Sequence, residues 1–279
     1  MRSSSPDQDP RHPADRAQDH CRPGDGGRGP GRLTVIGLGP GSADLLAPQA
    51  LATLHAAGAV VGYTRYLDLV DPALLAGKTI FASGMQKEMD RAAKAVGFAL
   101  GGLDTVVVSS GDSGIYGMAG LVLEYLERHA LHDRVDLNVV PGIPALCAAA
   151  ALLGAPLMHD FASISLSDLL TPLPLIMKRV RAAVEADFVL VLYNPKSRKR
   201  ASYLAEVLAI ATEKRGPDTP VGFVRAAFRP DQEVRVATLG TCEPDWADML
   251  TTVVIGNSAS RLVGDKILTP RGYFEKYGK

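Results

Sequence analysis

Between Leu33 and Val140, short β-branched runs stop at loops rich in glycine, serine or proline, and most of those loops open into a stretch of helical periodicity. Segments of this kind are too long to be hairpin turns. Successive strands must therefore pair in parallel through crossover helices, with ligand loops at their carboxyl ends. Leu33–Ile36 is the first such run and flows into Gly37-Leu-Gly-Pro-Gly41. The periodicity then predicts a helix over Leu45–Ala57, strands at Ala59–Val61 and Lys78–Phe81, and a helix over Met85–Leu100. Thr105–Val108 is a strand, Ser109–Gly117 its loop, Met118–His129 a helix, and Val135–Val140 a strand ending in Pro141-Gly-Ile-Pro144.

A second unit follows Gly154-Ala-Pro156. Helices are expected at Leu175–Glu185 and Ala201–Arg215, with strands at Phe188–Tyr193, Val221–Val224, Glu233–Leu239 and Thr251–Ile255. The last three strands lie close together with turn residues between them, so this half reads as mixed and partly antiparallel. The fold class is α/β: two α/β domains, residues 33–156 and 157–279, with a ligand cleft between them. Residues 1–32 are rich in Pro, Gly, Asp, Arg and Ser, hold too little apolar surface to offset chain entropy, and read as a disordered extension. They lack the apolar core of a secretory signal.

With 30 basic and 30 acidic residues among 279, the chain has no excess charge to attract nucleic acid or a membrane surface. No apolar stretch approaches the ~20 residues that span a bilayer. The cysteines Cys21, Cys147 and Cys242 form no metal or disulfide spacing, which suits a reducing, cytoplasmic setting. Cys147, inside a run of alanines, reads as a small core residue.

The glycine loop at Gly37, Gly39 and Gly41 lets backbone approach a ligand, or simply makes a tight strand-to-helix turn. A dinucleotide fold would want a third glycine where Ser42 stands and an acidic ribose ligand near Val60-Val-Gly-Tyr63, so an NAD-dependent oxidoreductase is disfavoured. Ser109–Gly117 carries three glycines and Asp112, which suits either a small polar ligand or a turn or cap. Pro141–Ala145 is ordinary helix-start chemistry. His159-Asp160, Ser165-Leu-Ser-Asp168 and Tyr193-Asn-Pro-Lys-Ser-Arg198 with Lys199 and Arg200 form a polar group. Its cations suit carboxylates, or else a solvated helix start. A non-catalytic carrier or scaffold would also use them, but would have little need of the glycine loop.

Taken together these segments resemble the tetrapyrrole methylase family, and within it the precorrin-3B C17-methyltransferases. General family features are Gly37–Gly41, Ser110-Gly-Asp112, Pro141-Gly-Ile143 and the strand end at Tyr193. The C17 enzymes are resembled more particularly in Gly62–Tyr66, Gly154–Phe161, Ser165–Pro172, Tyr193–Arg198, Met249–Thr252 and Gly256-Asn-Ser258. The resemblance implies a homodimer that binds S-adenosylmethionine (SAM) in the interdomain cleft and acts on a tetrapyrrole with no resident metal. Carried over by position, Pro40, Gly111, Asp112, Ile115, Pro144, Ala145, Asn194, Ala227 and Gly256 would hold SAM. Ser113 replaces a common proline, and Pro144 a common Thr or Ser.

Methyl transfer from a sulfonium needs alignment and exclusion of water rather than a protein nucleophile. The ring contraction that accompanies C17 methylation removes a hydroxyl proton, which a general base would assist. His159 is the first candidate, followed by Asp112 and Asp168. Arg65, Lys87, Lys196, Arg198 and Arg200 are expected to anchor substrate carboxylates. The absence of a cysteine-rich cluster segment favours the cobalt-free substrate, precorrin-3B, over cobalt-factor III.

Overall fold

The computed structural model describes residues 29–197 and 202–278. Most of the predicted disordered extension therefore lies outside the described residues. Just before the first strand, Gly31 N–H donates to Ala99 O (2.8 Å) and Arg32 N–H to Asp104 Oδ1 (2.8 Å), tying the chain into the fold from Gly31 onward.

The first sheet holds β1 (Leu33–Gly37), β2 (Ala59–Tyr63), β3 (Thr79–Ser83), β4 (Thr105–Ser109) and β5 (Leu137–Val140) in the order β3-β2-β4-β1-β5. Every pairing in it is parallel. Residues of β1 and β4 are buried on both faces, as expected of inner strands covered by helices, and each buried Val or Leu contributes about 1.5–3 kcal/mol. The covering helices are α1 (Pro48–Ala56), α2 (Thr64–Leu67), α3 (Pro72–Leu75), α4 (Glu88–Leu100) and α5 (Met118–Arg128). α1 starts later than the expected Leu45. A short 3-10 turn occupies Ala43–Leu45, and Pro48, with no N–H to satisfy, takes the first helical turn.

α6 (Ala145–Leu153) leads through β6 (Gly154–Ala155) to the second sheet, which contains β7 (Phe161–Ser165), β8 (Val189–Tyr193), β9 (Pro220–Arg225), β10 (Glu233–Thr238) and β11 (Thr251–Ile255). Its order is β10-β9-β11-β8-β7. β7 and β8 are parallel and the remaining pairs antiparallel, the mixed character expected of this half. α7 (Leu173–Glu185) and α8 (Tyr203–Arg215) pack on one face around Leu190, Leu192, Phe223 and Val253; α6 packs on the other. β12 (Arg261–Val263) and β13 (Lys266–Leu268) add a small sheet with β6, and α9 (Tyr273–Tyr277) follows. No helix among the described residues is long and apolar enough to cross a membrane.

Cys147 is exposed rather than in the core. α6 buries Leu146, Ala148, Ala149 and Leu153, and its third residue falls on the opposite side. A helix of alanines gives no amphipathic phase from which its buried face can be read.

Candidate functional site

Three loops at the carboxyl ends of β1, β4 and β5 interlock. Gly39 N–H donates to Gly111 O (3.0 Å) and Gly111 N–H to Gly39 O (2.8 Å). Both glycines have positive φ, +68° and +65°, which favours glycine there. The Pro141–Pro144 loop packs under this pair so tightly that a Cβ at Gly142 would meet Gly111 O at 2.2 Å. Asp112 braces the assembly: Oδ1 accepts from Gly114 N–H (2.8 Å) and Oδ2 from Gly142 N–H (3.0 Å).

The second sheet reaches this assembly with two side chains. Tyr193 Oη, at the end of β8, accepts the N–H of Leu146 in the first turn of α6 (2.9 Å). Burial, which outweighs that hydrogen bond, pushes the phenol up to about 12, so the hydroxyl stays neutral. Arg229 extends from the loop after β9, where Ala226 and Phe228 both hold positive φ. Its Nε donates to Pro40 O (2.7 Å) and its Nη2 to Ser110 Oγ (3.1 Å). Burial lowers its pKa from the usual arginine value, with Tyr66 opposing. In the reverse direction Tyr116, from the glycine loop, donates to Ser163 O on β7 (3.0 Å), and its ring centroid lies 5.0 Å from that of Tyr193.

Beside these contacts lies a cleft of about 1050 Å³ between the two sheets. Tyr63, Tyr66, Glu88 and Arg91 form part of one wall, while Ser165, Leu169, Leu170 and Arg179 belong to the other side. The volume is at the upper end for small-molecule sites, which run to ~1,000 Å³.

Most of the residues expected to hold a cofactor come together here. A Cβ at Gly111 would lie 3.5 Å from Ala145 N and 3.6 Å from Pro144 Cα, so a glycine leaves the start of α6 uncovered. Pro40 and Asp112 sit in the braced loops, and Ile115, Tyr193 and Ala227 pack into one apolar cluster with Leu146. Asn194, at φ +52°, lines the cleft and donates from Nδ2 to Ser165 Oγ (3.0 Å).

Gly256 is not brought to this place. β11 runs antiparallel to β8, so its carboxyl end lies at the opposite edge of the sheet from Tyr193. Gly256 N–H donates there to Pro220 O (2.9 Å) and its carbonyl accepts from Arg215 Nη1 (2.7 Å). His159 is displaced for a related reason. It precedes β7, whose far end, Ser165, faces the cleft; at ~3.3 Å per residue the separation is roughly 20 Å. It lines a separate cavity of about 420 Å³ with Asp187 and Asn257, and its Nδ1 accepts the Asp160 N–H (2.7 Å).

Asp168 accepts from Tyr203 Oη (2.8 Å) at an exposed position, and Asp112 spends both oxygens on backbone N–H groups. Lys196 is ion-paired with Asp245, and Lys87 with Asp90 (3.2 Å). Arg65 is exposed on α2, while Arg198 and Arg200 lie outside the described residues. Sequence reasoning misses Glu88, Arg91, Arg179 and Arg229. A signal for Arg91 is present: it shares a helical stripe with Ala92, Ala95 and Ala99, where a cation must be buried and partnered.

Residues 32–243 match the family model of tetrapyrrole (corrin/porphyrin) methylases. A probable cobalt-factor III C(17)-methyltransferase of Salmonella typhimurium is 46% identical over 241 residues, which cover 86% of this chain and 99% of that one. A precorrin-3B C(17)-methyltransferase of a Sinorhizobium species is 41% identical over 249 residues, 87% of this chain and 97% of the relative. Some relatives are longer, and the chain covers only 46% of the cobalt-factor III methyltransferase of Priestia megaterium. Among solved structures, the crystal structure of the methyltransferase CobJ aligns with a TM-score of 0.82 at 42% identity, covering 86% of this chain and 100% of that chain.

Proposed function

The chain belongs to the tetrapyrrole methylase family, and from that membership we propose that it transfers a methyl group from SAM to C17 of a corrin precursor, contracting the ring, in cobalamin biosynthesis. The substrate is precorrin-3B, giving precorrin-4, or its cobalt-bearing counterpart, cobalt-factor III. A cytoplasmic homodimer is the working form in this reading.

The observation that carries the proposal is the pairing of a glycine-closed cradle with a large cleft beside it. The cradle suits SAM. The uncovered start of α6 presents the Ala145 N–H, together with the positive end of the helix dipole, to a carboxylate, the Leu146 N–H being held by Tyr193. Pro144 there has no N–H to donate, and its carbonyl already accepts from Cys147 N–H (3.0 Å) and Ala148 N–H (3.1 Å). Asn194 and the Ala226–Ala227 backbone stand where a flat heterocycle would be bordered from the second sheet.

When bound, SAM supplies a methyl group activated by its sulfonium, so the protein needs no nucleophile of its own. What the residues contribute is alignment and exclusion of water. Tyr116, Tyr193 and Arg229 lock the cradle to the second sheet, which fixes the cleft wall relative to the loops. Arg179 gives the cleft positive charge toward a ring bearing carboxylates.

The test is incubation with methyl-labelled SAM and, in parallel, precorrin-3B and cobalt-factor III, with mass and carbon-NMR analysis of the product. Label at C17 on a contracted ring is the expected result, and the arm that yields it identifies the substrate. Failure to bind SAM would overturn the reading.

A further inference from the structure

Neither His159 nor Asp112 is free to serve as the base that ring contraction requires, since one is remote from the cleft and the other braces loops. The cleft itself carries a carboxylate that residue pattern alone does not single out. Glu88 opens α4 and lines the cleft with its side chain 47% exposed. Its Oε1 accepts from Arg91 Nη2 (2.8 Å). Among the described residues no donor reaches Oε2, which leaves that oxygen able to take a proton.

Arg91 is arranged to hold Glu88 rather than to meet solvent. Its side chain is 5% exposed, and Nη1 donates to Ser83 Oγ (2.9 Å) and to Gly84 O (2.9 Å) at the end of β3. Its guanidinium lies 5.9 Å from the centroid of the Tyr63 ring. Nε is buried with no partner among the described residues. Anchored at three points, Arg91 leaves Glu88 little freedom to leave the wall.

A carboxylate is costly in a cleft meant for a polyanion, because like charges repel. Its presence beside Tyr63 and Tyr66 calls for a role that an amide could not fill. The reaction itself needs one. Methyl transfer adds CH₃⁺ to the ring, and loss of one hydroxyl proton restores the charge. We propose that Glu88 is the catalytic base that removes this proton and that Arg91 is its positioning residue. The proton passes from the hydroxyl to Glu88 Oε2; the O–H electron pair stays on oxygen and becomes the second bond of the new carbonyl. The carbon–carbon bond that shifts carries its own pair to the neighbouring ring carbon, and the charge delivered with the methyl is discharged.

This inference rests on the methyltransferase reading, and one experiment separates the two. Wild type and Glu88→Gln are compared with methyl-labelled SAM and the substrate arm that is active for wild type. Glu88→Gln keeps the shape of the side chain and an oxygen that can accept from Arg91, while removing the charge and the basic oxygen. The expected result is a fall in kcat for contracted product of about 10²-fold or more, with KM within about threefold. The acid limb of the wild-type kcat profile should vanish in the variant. Around Glu88 stand Arg91 on its own helix and Tyr63 and Tyr66 from β2 and α2, with Arg229 beyond Tyr66, while the neighbouring Lys87 and Asp90 pair with each other. None of these is removed by the substitution. Glu88→Asp should restore part of the rate and Arg91→Lys should move the acid limb. Contracted product formed by Glu88→Gln at close to the wild-type rate, or a loss confined to KM, would overturn the assignment. An inactive wild type would overturn the function instead.

Discussion

The tightest contact in the cradle gives the sharpest prediction. In Gly142→Ala the new Cβ would stand 2.2 Å from Gly111 O and 2.8 Å from Gly37 Cα, and both neighbours are backbone. No side chain can swing away, so the Pro141–Pro144 loop must separate from the other two by about 1 Å, the kind of backbone shift that overpacking forces. That shift stretches the Asp112–Gly142 hydrogen bond, now 3.0 Å, and strains the Gly39–Gly111 pair. Overpacking of this kind costs about 1–3 kcal/mol, and each lost hydrogen bond adds about 1 kcal/mol, so unfolding free energy should fall by roughly 2–4 kcal/mol. Because the start of α6 moves with the loop, SAM affinity should drop by about tenfold or more, since misplacements near 1 Å are costly in preorganised sites. Chemical denaturation and calorimetric titration with SAM read the two quantities on one preparation. A variant with unchanged midpoint and unchanged affinity would refute the interlocked-loop account.

Other outcomes follow from single contacts. Arg229→Met removes two charge-assisted hydrogen bonds to the cradle, worth about 1.5–3 kcal/mol each at the upper end, and should weaken SAM binding by about tenfold or more in the same titration. Gly97 lies inside α4, and a Cβ there would meet nothing within 4 Å, so Gly97→Ala should raise stability by about 0.5–1 kcal/mol and leave SAM affinity alone. Burial raises the Asp248 carboxyl, but hydrogen bonds from Arg225, Thr251 and the Leu250 N–H outweigh it and hold its pKa below the usual 3.8. A depressed carboxylate stabilises the fold above its unfolded pKa and that contribution is lost as pH falls through the folded value. Asp248→Asn should therefore lower stability at neutral pH and make acid denaturation shallower below about pH 4, measured as unfolding midpoint against pH.

How far the sequence can be read depends on strand direction. β1, β4 and β5 stand out as β-branched runs, and their carboxyl ends carry the loops that meet at the cradle. Pro40, Gly111 and Pro144 are legible for that reason: each follows a recognisable parallel strand. His159 is misplaced by sequence reasoning because β7, Phe161-Ala-Ser-Ile-Ser165, is short and carries two serines, so it does not stand out as a strand. Once β7 is seen to pair in parallel with β8, Ser165 takes the cleft end and His159 the other. Gly256 fails by the same logic in reverse, since the antiparallel sense of β11 cannot be read from the run Thr251–Ile255 alone.

The cations show a different limit. Lys87, Lys196 and Arg65 suggest anchors because they are charged and near loops, yet Lys87 and Lys196 already have acidic partners. Arg91, Arg179 and Arg229 sit on helices or beyond strands, where residue type alone suggests only a solvated face. Their place in the site is set by which helix face packs inward and by how one sheet approaches the other, both tertiary facts. A cation's usefulness to an anionic ligand depends on the charge left over after its neighbours have been counted. By that count the proposed base lies not among the expected loop residues but on the wall formed by β2, α2 and the first turn of α4. There a buried arginine holds a carboxylate at the cleft, and the nearest tyrosines link it to the arginine that clamps the cradle.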